Sequence, residues 1–143
     1  MRIVTPEILN YFALLQSRIG EARNVPFRAV SIGDWQPKLA DCHKNVDSWN
    51  AGHENRVRVR GWLTWGNDES GSCHLIAHSV VDDDGVLYDI TPIDPNTPRP
   101  KFLTHVGEKE AFDAMQPQWS WTTYPIIFEL SNDPIEIEDE AEQ

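Results

Sequence analysis

Cys42 and His78 are the residues of this chain whose types and settings could together do nucleophilic chemistry. Asp41-Cys42-His43-Lys44-Asn45-Val46 reads as a cap and the first turn of a helix, and Ala77-His78-Ser79-Val80-Val81 reads as a strand entering a hairpin. A thiol attacks only as thiolate, and a helix N-terminus or a neighbouring imidazolium lowers its pKa below the free value of about 8.5. The other reading of Cys42 is a small buried apolar residue, where free cysteines most often end up.

The spacing after His78 supplies a third part. Strand alternation from Ser72 to Asp82 puts His74, Ile76, His78 and Val80 on one face, with Cys73, Leu75, Ala77, Ser79 and Val81 on the other, which looks like core. If Asp84-Gly85 forms a two-residue turn, Val80 opposes Asp89 and His78 opposes Thr91, so Asp89 lies diagonal to His78 on one face. A four-residue loop puts it directly opposite, and an odd-length loop turns it away. A carboxylate on one imidazole nitrogen fixes the tautomer and leaves the other nitrogen to take a thiol proton. The structural alternatives are a satisfied strand histidine and an aspartate that simply caps the strand end.

Two other chemistries compete. Cys42-His43 and Cys73-His74 supply zinc-type ligands, but adjacent strand residues point to opposite faces and neither pair has the gap usual in zinc motifs, so no metal is expected. His43 is expected to point away from the Cys42 face, and His53 and His105 to be surface or loop residues. A non-catalytic inhibitor or immunity-type protein, whose acidic surface engages a basic partner, is the alternative function. Six tryptophans offer anchors for it, because Trp is enriched at binding hot spots. Trp119 and Trp121 share a face and fit either a cleft wall or the core.

The elements that must position these residues follow from periodicity and punctuation. Thr5-Pro6-Glu7 is a strong helix start, and Ile8, Leu9, Phe12, Leu15 and Ile19 give one apolar face up to Gly20. An edge strand is expected over Phe27 to Ile32. The second helix is capped by Asp41 and ends near Asn50, with Gly52 as terminator and Val46 and Trp49 on the Cys42 face. From Arg56 the period becomes two, with Arg56, Arg58 and Arg60 on one wet face through Trp65. Strands follow over Ser72 to Asp82 and Val86 to Thr91, then a proline-rich loop from Pro92 to Pro100, a helix from Gly107 to Met115 and a strand region from Trp119 to Leu130. Helices first and an antiparallel meander afterwards predict an α+β domain.

The 143 residues fit one domain over 1–130,. Residues 131–143 carry six acids and no base, and are expected to be a solvated, disordered tail. A formal charge of −11 disfavours binding to nucleic acid through its phosphates, which draws on Lys and Arg, and no nucleic-acid partner is expected. The N-terminus lacks a signal-peptide layout and no apolar run reaches the 18 or so residues of a membrane span, so a cytoplasmic protein is expected. A Cys42–Cys73 bridge is compatible with the sequence, and a reduced pair is the expectation in the cytosol.

Over Gln36 to Asp89 the chain resembles the papain-like superfamily in its broad sense, which includes transglutaminase-like and small bacterial amidase domains. The order Cys42 at a helix start, His78 on a later strand and Asp89 on the next one is theirs. Ala77-His78-Ser79-Val80-Val81 is similar to the small-residue and valine context of their histidine strand. Gln36 stands six residues ahead of Cys42, as does the glutamine that donates to the oxyanion in papain. The resemblance implies a papain-like core and a Cys42–His78–Asp89 triad with Gln36 as oxyanion donor. It implies hydrolysis or acyl transfer on a protein, a peptide or a small amide, without a cofactor.

Overall fold

Two layers build the fold, a curled antiparallel sheet and the helices on one of its faces. The computed structural model describes residues 2–126 and the strand at 135–137. In chain order the elements are β1 (Arg2–Val4), α1 (Pro6–Ser17), α2 (Cys42–Asn50), β2 (Arg56–Thr64), β3 (Cys73–Asp83), β4 (Val86–Tyr88), β5 (Lys101–Thr104), α3 (Lys109–Met115), β6 (Trp121–Tyr124) and β7 (Ile135–Ile137). The mixed α+β class with an antiparallel sheet expected from the sequence is the one observed. Among the described residues no helix is long and apolar enough to cross a membrane.

The main sheet runs β4-β3-β2-β5, with β6 added to β3. β2 pairs with β3 from Leu63↔Ile76 to Arg56↔Asp83. β6 pairs with residues 73–76 of β3 and β4 with residues 81–83. Because Ile76 already pairs with Leu63 of β2 and with Trp121 of β6, β6 must lie on the edge of β3 that β4 also uses. Between them, among the described residues, His78, Ser79 and Val80 lack a strand partner on that edge, and this opening is where the site forms.

Each helix is placed by ordinary local chemistry. The Thr5 hydroxyl accepts from the Ile8 amide at 3.2 Å and Pro6 opens α1, satisfying groups that a helix start leaves unpaired. Phe12 and Leu15 of α1 are fully buried and pack with Trp62, Leu75, Leu103, Phe112 and Trp119. Those large side chains dominate the apolar burial that holds the layers together, at about 25 cal/mol per Å² removed from water. Val46 of α2 packs against Val81, Tyr88 and Ile90. Cys73, Leu75, Ala77, Ser79 and Val81 are all buried on this helix-covered face, as their alternation predicts.

Several expectations are corrected. No strand forms over Phe27 to Ile32; isolated bridges Phe27↔Asp89 and Ile32↔Trp35 take its place. Pro26 and Gly33 bracket this stretch, and Phe27 stays exposed while Val25 joins Leu63, Val80 and Phe102 on the far face,. The Arg56, Arg58 and Arg60 side is not a wet face. Arg60 is buried, Arg56 stacks on Trp49 at 3.8 Å, and Arg58 and Arg60 both reach Asp47 at 3.5 Å. Long basic stems cover apolar surface while their heads pair with acids. β5 lies just beyond the proline-rich loop, unmarked by any period-two run of useful length.

Residues 135–137, placed by composition in an unstructured tail, form β7 and pair in parallel with β1, in the register Arg2↔Ile135 to Val4↔Ile137. The local cause is the alternation Ile135-Glu136-Ile137, two β-branched residues flanking one acid. The remaining tail positions, 131–134 and 138–143, lie outside the described residues, as does the end, 127–130, of the strand region expected from Trp119 to Leu130.

Candidate active site

Cys42 is the first residue of α2, and its sulfur lies 3.9 Å from the Ala77 carbonyl oxygen at the open edge of β3. Asp41 precedes it as expected but its side chain does not cap the helix. A different polar brace fixes α2. The buried Asn45 side chain exchanges hydrogen bonds with the Lys38 backbone, 2.8 Å to its carbonyl and 3.0 Å from its amide, and donates to the Thr91 hydroxyl at 3.1 Å. Asn45 thereby ties the helix of Cys42 to the loop before it and to the strand end that carries Asp89. Unpaired, this buried amide would cost about 1–3 kcal/mol.

The Asp84-Gly85 turn has the two-residue length, with left-handed φ of 53° and 88°. Its register, Asp83↔Val86 to Val81↔Tyr88, carries on to set Asp89 diagonal to His78. The two side chains meet: His78 Nε2 lies 2.7 Å from Asp89 Oδ2, and both are buried. A carboxylate accepts only, so Nε2 carries the hydrogen and Nδ1 is the nitrogen free of it. Asp89 is itself fully engaged. Its Oδ1 accepts from the Thr91 amide at 3.0 Å, and Oδ2 also accepts from Arg99 Nη1 at 2.7 Å. Arg99 comes from the proline-rich loop, donates to the Thr91 carbonyl at 3.1 Å and lies over the Phe27 ring at 4.8 Å.

The second imidazole is a surprise. His43 does not point elsewhere; it acts on the same thiol as His78 while its Nδ1 lies 2.5 Å from the Ser79 hydroxyl. Ser79 and His78 are consecutive residues on opposite faces of β3, so His43, held by Ser79, and His78 reach the Cys42 cavity from the two sides of the strand,. Burial alone would push the Cys42 thiol up, but hydrogen bonds from His43 and His78, together with the charge of His78, outweigh it and bring the pKa down to about 6. Burial alone would likewise lower His78, yet Asp89 and the Cys42 thiolate raise it to about 9. The pair is therefore a thiolate facing an imidazolium at neutral pH. Cys73 differs: it is buried and unmodified by any imidazole, and its pKa is raised, first by desolvation.

The sulfur opens onto a cavity of about 580 Å³ lined by Leu39, Leu63, Ile76, Ile93, Gln116 and Trp121 among others, together with Cys42, His43 and His78. This size suits a small ligand or a short peptide segment. The exposed Leu39, Ile76 and Trp121 give it an apolar wall. Trp121 is thus a cleft residue, whereas its neighbour Trp119 is core, with the Arg2 guanidinium 4.1 Å above it. A second cavity, about 480 Å³, is lined by Arg18, Glu21, Arg23, Thr104 and His105 among others, without a cysteine.

Gln36 is exposed and does not line the Cys42 cavity. The turn at Leu39 and Ala40, where Ala40 adopts a φ of 58°, separates it from the thiol, so the expected oxyanion donor is not in place. Gln116, at the C-terminal end of α3, is the glutamine that lines the cavity. His105 is not a free loop residue either: Tyr11 Oη lies 2.6 Å from its Nδ1, and its Nε2 lies 2.8 Å from the Glu108 carbonyl oxygen. The two Cys-His dipeptides do not converge. Cys42 lies at Ala77, about four residues and 13 Å along β3 from Cys73, and His74 pairs with Asp68 at 3.8 Å. Both cysteines are free thiols.

Comparison with known protein families, with curated proteins and with solved structures returns no match.

Proposed function

We propose that the chain is a cysteine-dependent hydrolase or acyl transferase of amidase, peptidase, deamidase or transglutaminase type, with Cys42 as nucleophile, His78 as acid and base, and Asp89 as the group that orients His78. The observation that carries this reading is the linked set at the open edge of β3. A thiol brought to a pKa of about 6 faces an imidazole raised to about 9, and that imidazole is held by a buried carboxylate 2.7 Å away. Perturbed groups of matched sense in a cleft are what nucleophilic catalysis requires.

In this reading the Cys42 thiolate adds to a substrate carbonyl carbon, forming the C–S bond as the carbonyl π electrons move to oxygen. Collapse of the tetrahedral species breaks the bond to the leaving group, and the His78 imidazolium donates its proton to the departing nitrogen or sulfur. The neutral imidazole then takes a proton from water or an incoming amine, which attacks the thioester and releases Cys42. Asp89 keeps the proton on Nε2 throughout and stabilises the cation without becoming protonated. The substrate is an amide, a thioester or a glutamine side chain, free or within a peptide. The free thiols of Cys42 and Cys73 fit a reducing compartment such as the cytoplasm.

The test is direct trapping. Incubation with small activated amides and thioesters, followed by intact-mass analysis, should show one acyl adduct that maps to Cys42 and is absent from Cys42→Ser and slow in His78→Ala. An unmodified protein across such a panel, with the fold intact, would favour the non-catalytic binding protein.

A further inference from the structure

The two imidazoles at the Cys42 sulfur have their remote nitrogens held by groups of opposite character. Asp89 on the His78 side can only accept a hydrogen bond. Ser79 on the His43 side is itself spoken for. Arg60 Nη1 donates to the Ser79 oxygen at 2.7 Å, and a guanidinium has no acceptor,. The Ser79 hydroxyl is fully buried, and its other partner is His43 Nδ1 at 2.5 Å. With one lone pair taken by Arg60, its hydrogen goes to His43. A hydrogen on Nδ1 would leave two donors aimed at Ser79 and strand the buried hydroxyl hydrogen.

We infer that His43 is a second catalytic histidine, a donor whose Nε2–H hydrogen-bonds the Cys42 sulfur and which does not serve as its base. This rests on reading Cys42 as a nucleophile, and it divides the labour at that site. The thiol proton passes from sulfur to His78, whose free nitrogen can receive it, while His43 keeps its own proton and holds the thiolate in line with the cavity.

The surroundings of His43 agree with that assignment from every side. On its own helix Asp47, and on α3 Asp113, direct their carboxylates at Arg60, at 3.5 and 3.4 Å. The guanidinium is thereby held with its Nη1 toward Ser79. From α3 the Phe112 ring meets His43 edge-on, centroids 5.8 Å apart, and limits its rotation. From β3 the charged neighbour is His78, across the strand.

Nitrogen-15 NMR of the histidine rings in the full-length protein reads the tautomer directly. Near pH 8, below the His78 value of about 9, His43 should show the Nε2–H tautomer with a bare Nδ1, while His78 is protonated on both nitrogens. Iodoacetamide labelling of Cys42 gives the chemical consequence. His43→Ala should raise the pH midpoint of labelling by about one unit, a tenfold loss of thiolate below it. His43→Gln, which restores an N–H near the Nε2 position, should recover most of that shift, and Ser79→Ala should move the midpoint upward as well. A protonated Nδ1 on His43 in the wild-type protein, or an unshifted midpoint in folded His43→Ala, overturns the inference. The NMR reading stands even if a variant fails to fold. An activated Cys42 that forms no acyl adduct would sink the proposed enzyme function and leave this role of His43 intact, whereas an active His43→Ala enzyme with an unshifted midpoint would do the reverse.

Discussion

Gly61 lies directly opposite His78 across the β2/β3 ladder, and the side chain it lacks makes room for Phe102, whose ring meets the imidazole edge-on with centroids 6.4 Å apart. A methyl group at Gly61 would overlap both the Phe102 ring and the Leu103 carbonyl oxygen. The glycine is required by close approach, since nothing about its backbone dihedral is unusual. Gly61→Ala should therefore destabilise the fold by about 1–3 kcal/mol, the usual range for overpacking. It should also slow Cys42 chemistry by displacing Phe102 from His78. Denaturant melts and labelling rates measured on the same variant check both, and an unchanged midpoint of unfolding would contradict the packing argument.

Asp89→Asn keeps the size of the side chain and removes its charge. His78 would lose a principal cause of its raised pKa, and Arg99 would lose its ion-pair partner at 2.7 Å. Turnover should fall by up to about 10⁴-fold, the scale seen when a triad carboxylate is neutralised. The upper pH limit of activity should move down from about 9. Activity that keeps its wild-type upper limit in this variant would show that Asp89 does not act through His78.

Truncation after Leu130 removes the parallel partner of β1 along with six acids. Composition alone argues that the melting temperature should not change. The β1–β7 pairing argues the opposite, because Val4 is part of the main core and its strand would be left unpaired. The expected outcome is a lower melting temperature with faster exchange of the amides of residues 2–4; equal melting of the two forms would show that β7 adds nothing to stability.

How the site reads from sequence depends on which interactions are local. The helix at Cys42 and the Asp84-Gly85 turn are short-range, so the helix start was legible and the diagonal placement of His78 and Asp89 was one of the arrangements the turn allowed, the one that the two-residue length selects. Arg99 was hidden because it comes from a proline-rich loop without periodicity, where only its being the sole base between Asp94 and Pro100 marks it. Asn45 was hidden because one polar residue inside a helix looks solvated until its burial is known. His43 was misplaced for a geometric reason: helix periodicity separates it from the Cys42 face, but Ser79 of β3 binds its ring beside the open edge, where it lines the same cavity as Cys42. Gln36 shows the converse, a matching spacing along the chain that the turn at Leu39 and Ala40 carries away from the cavity.

The central claim is that Cys42 is held as a thiolate by imidazoles at neutral pH, and the pH dependence of its labelling tests that most directly. A lowered thiol pKa means the reactive form is present above about 6 and lost as pH falls through it, while the raised His78 stays protonated until pH passes about 9. Iodoacetamide should therefore modify Cys42 with a midpoint near pH 6 and far faster than Cys73, whose thiol is buried and shifted upward. In His78→Ala the Cys42 midpoint should move toward the free-thiol value of about 8.5. Equal, slow labelling of both cysteines with midpoints above pH 8 in the wild-type protein would contradict the account.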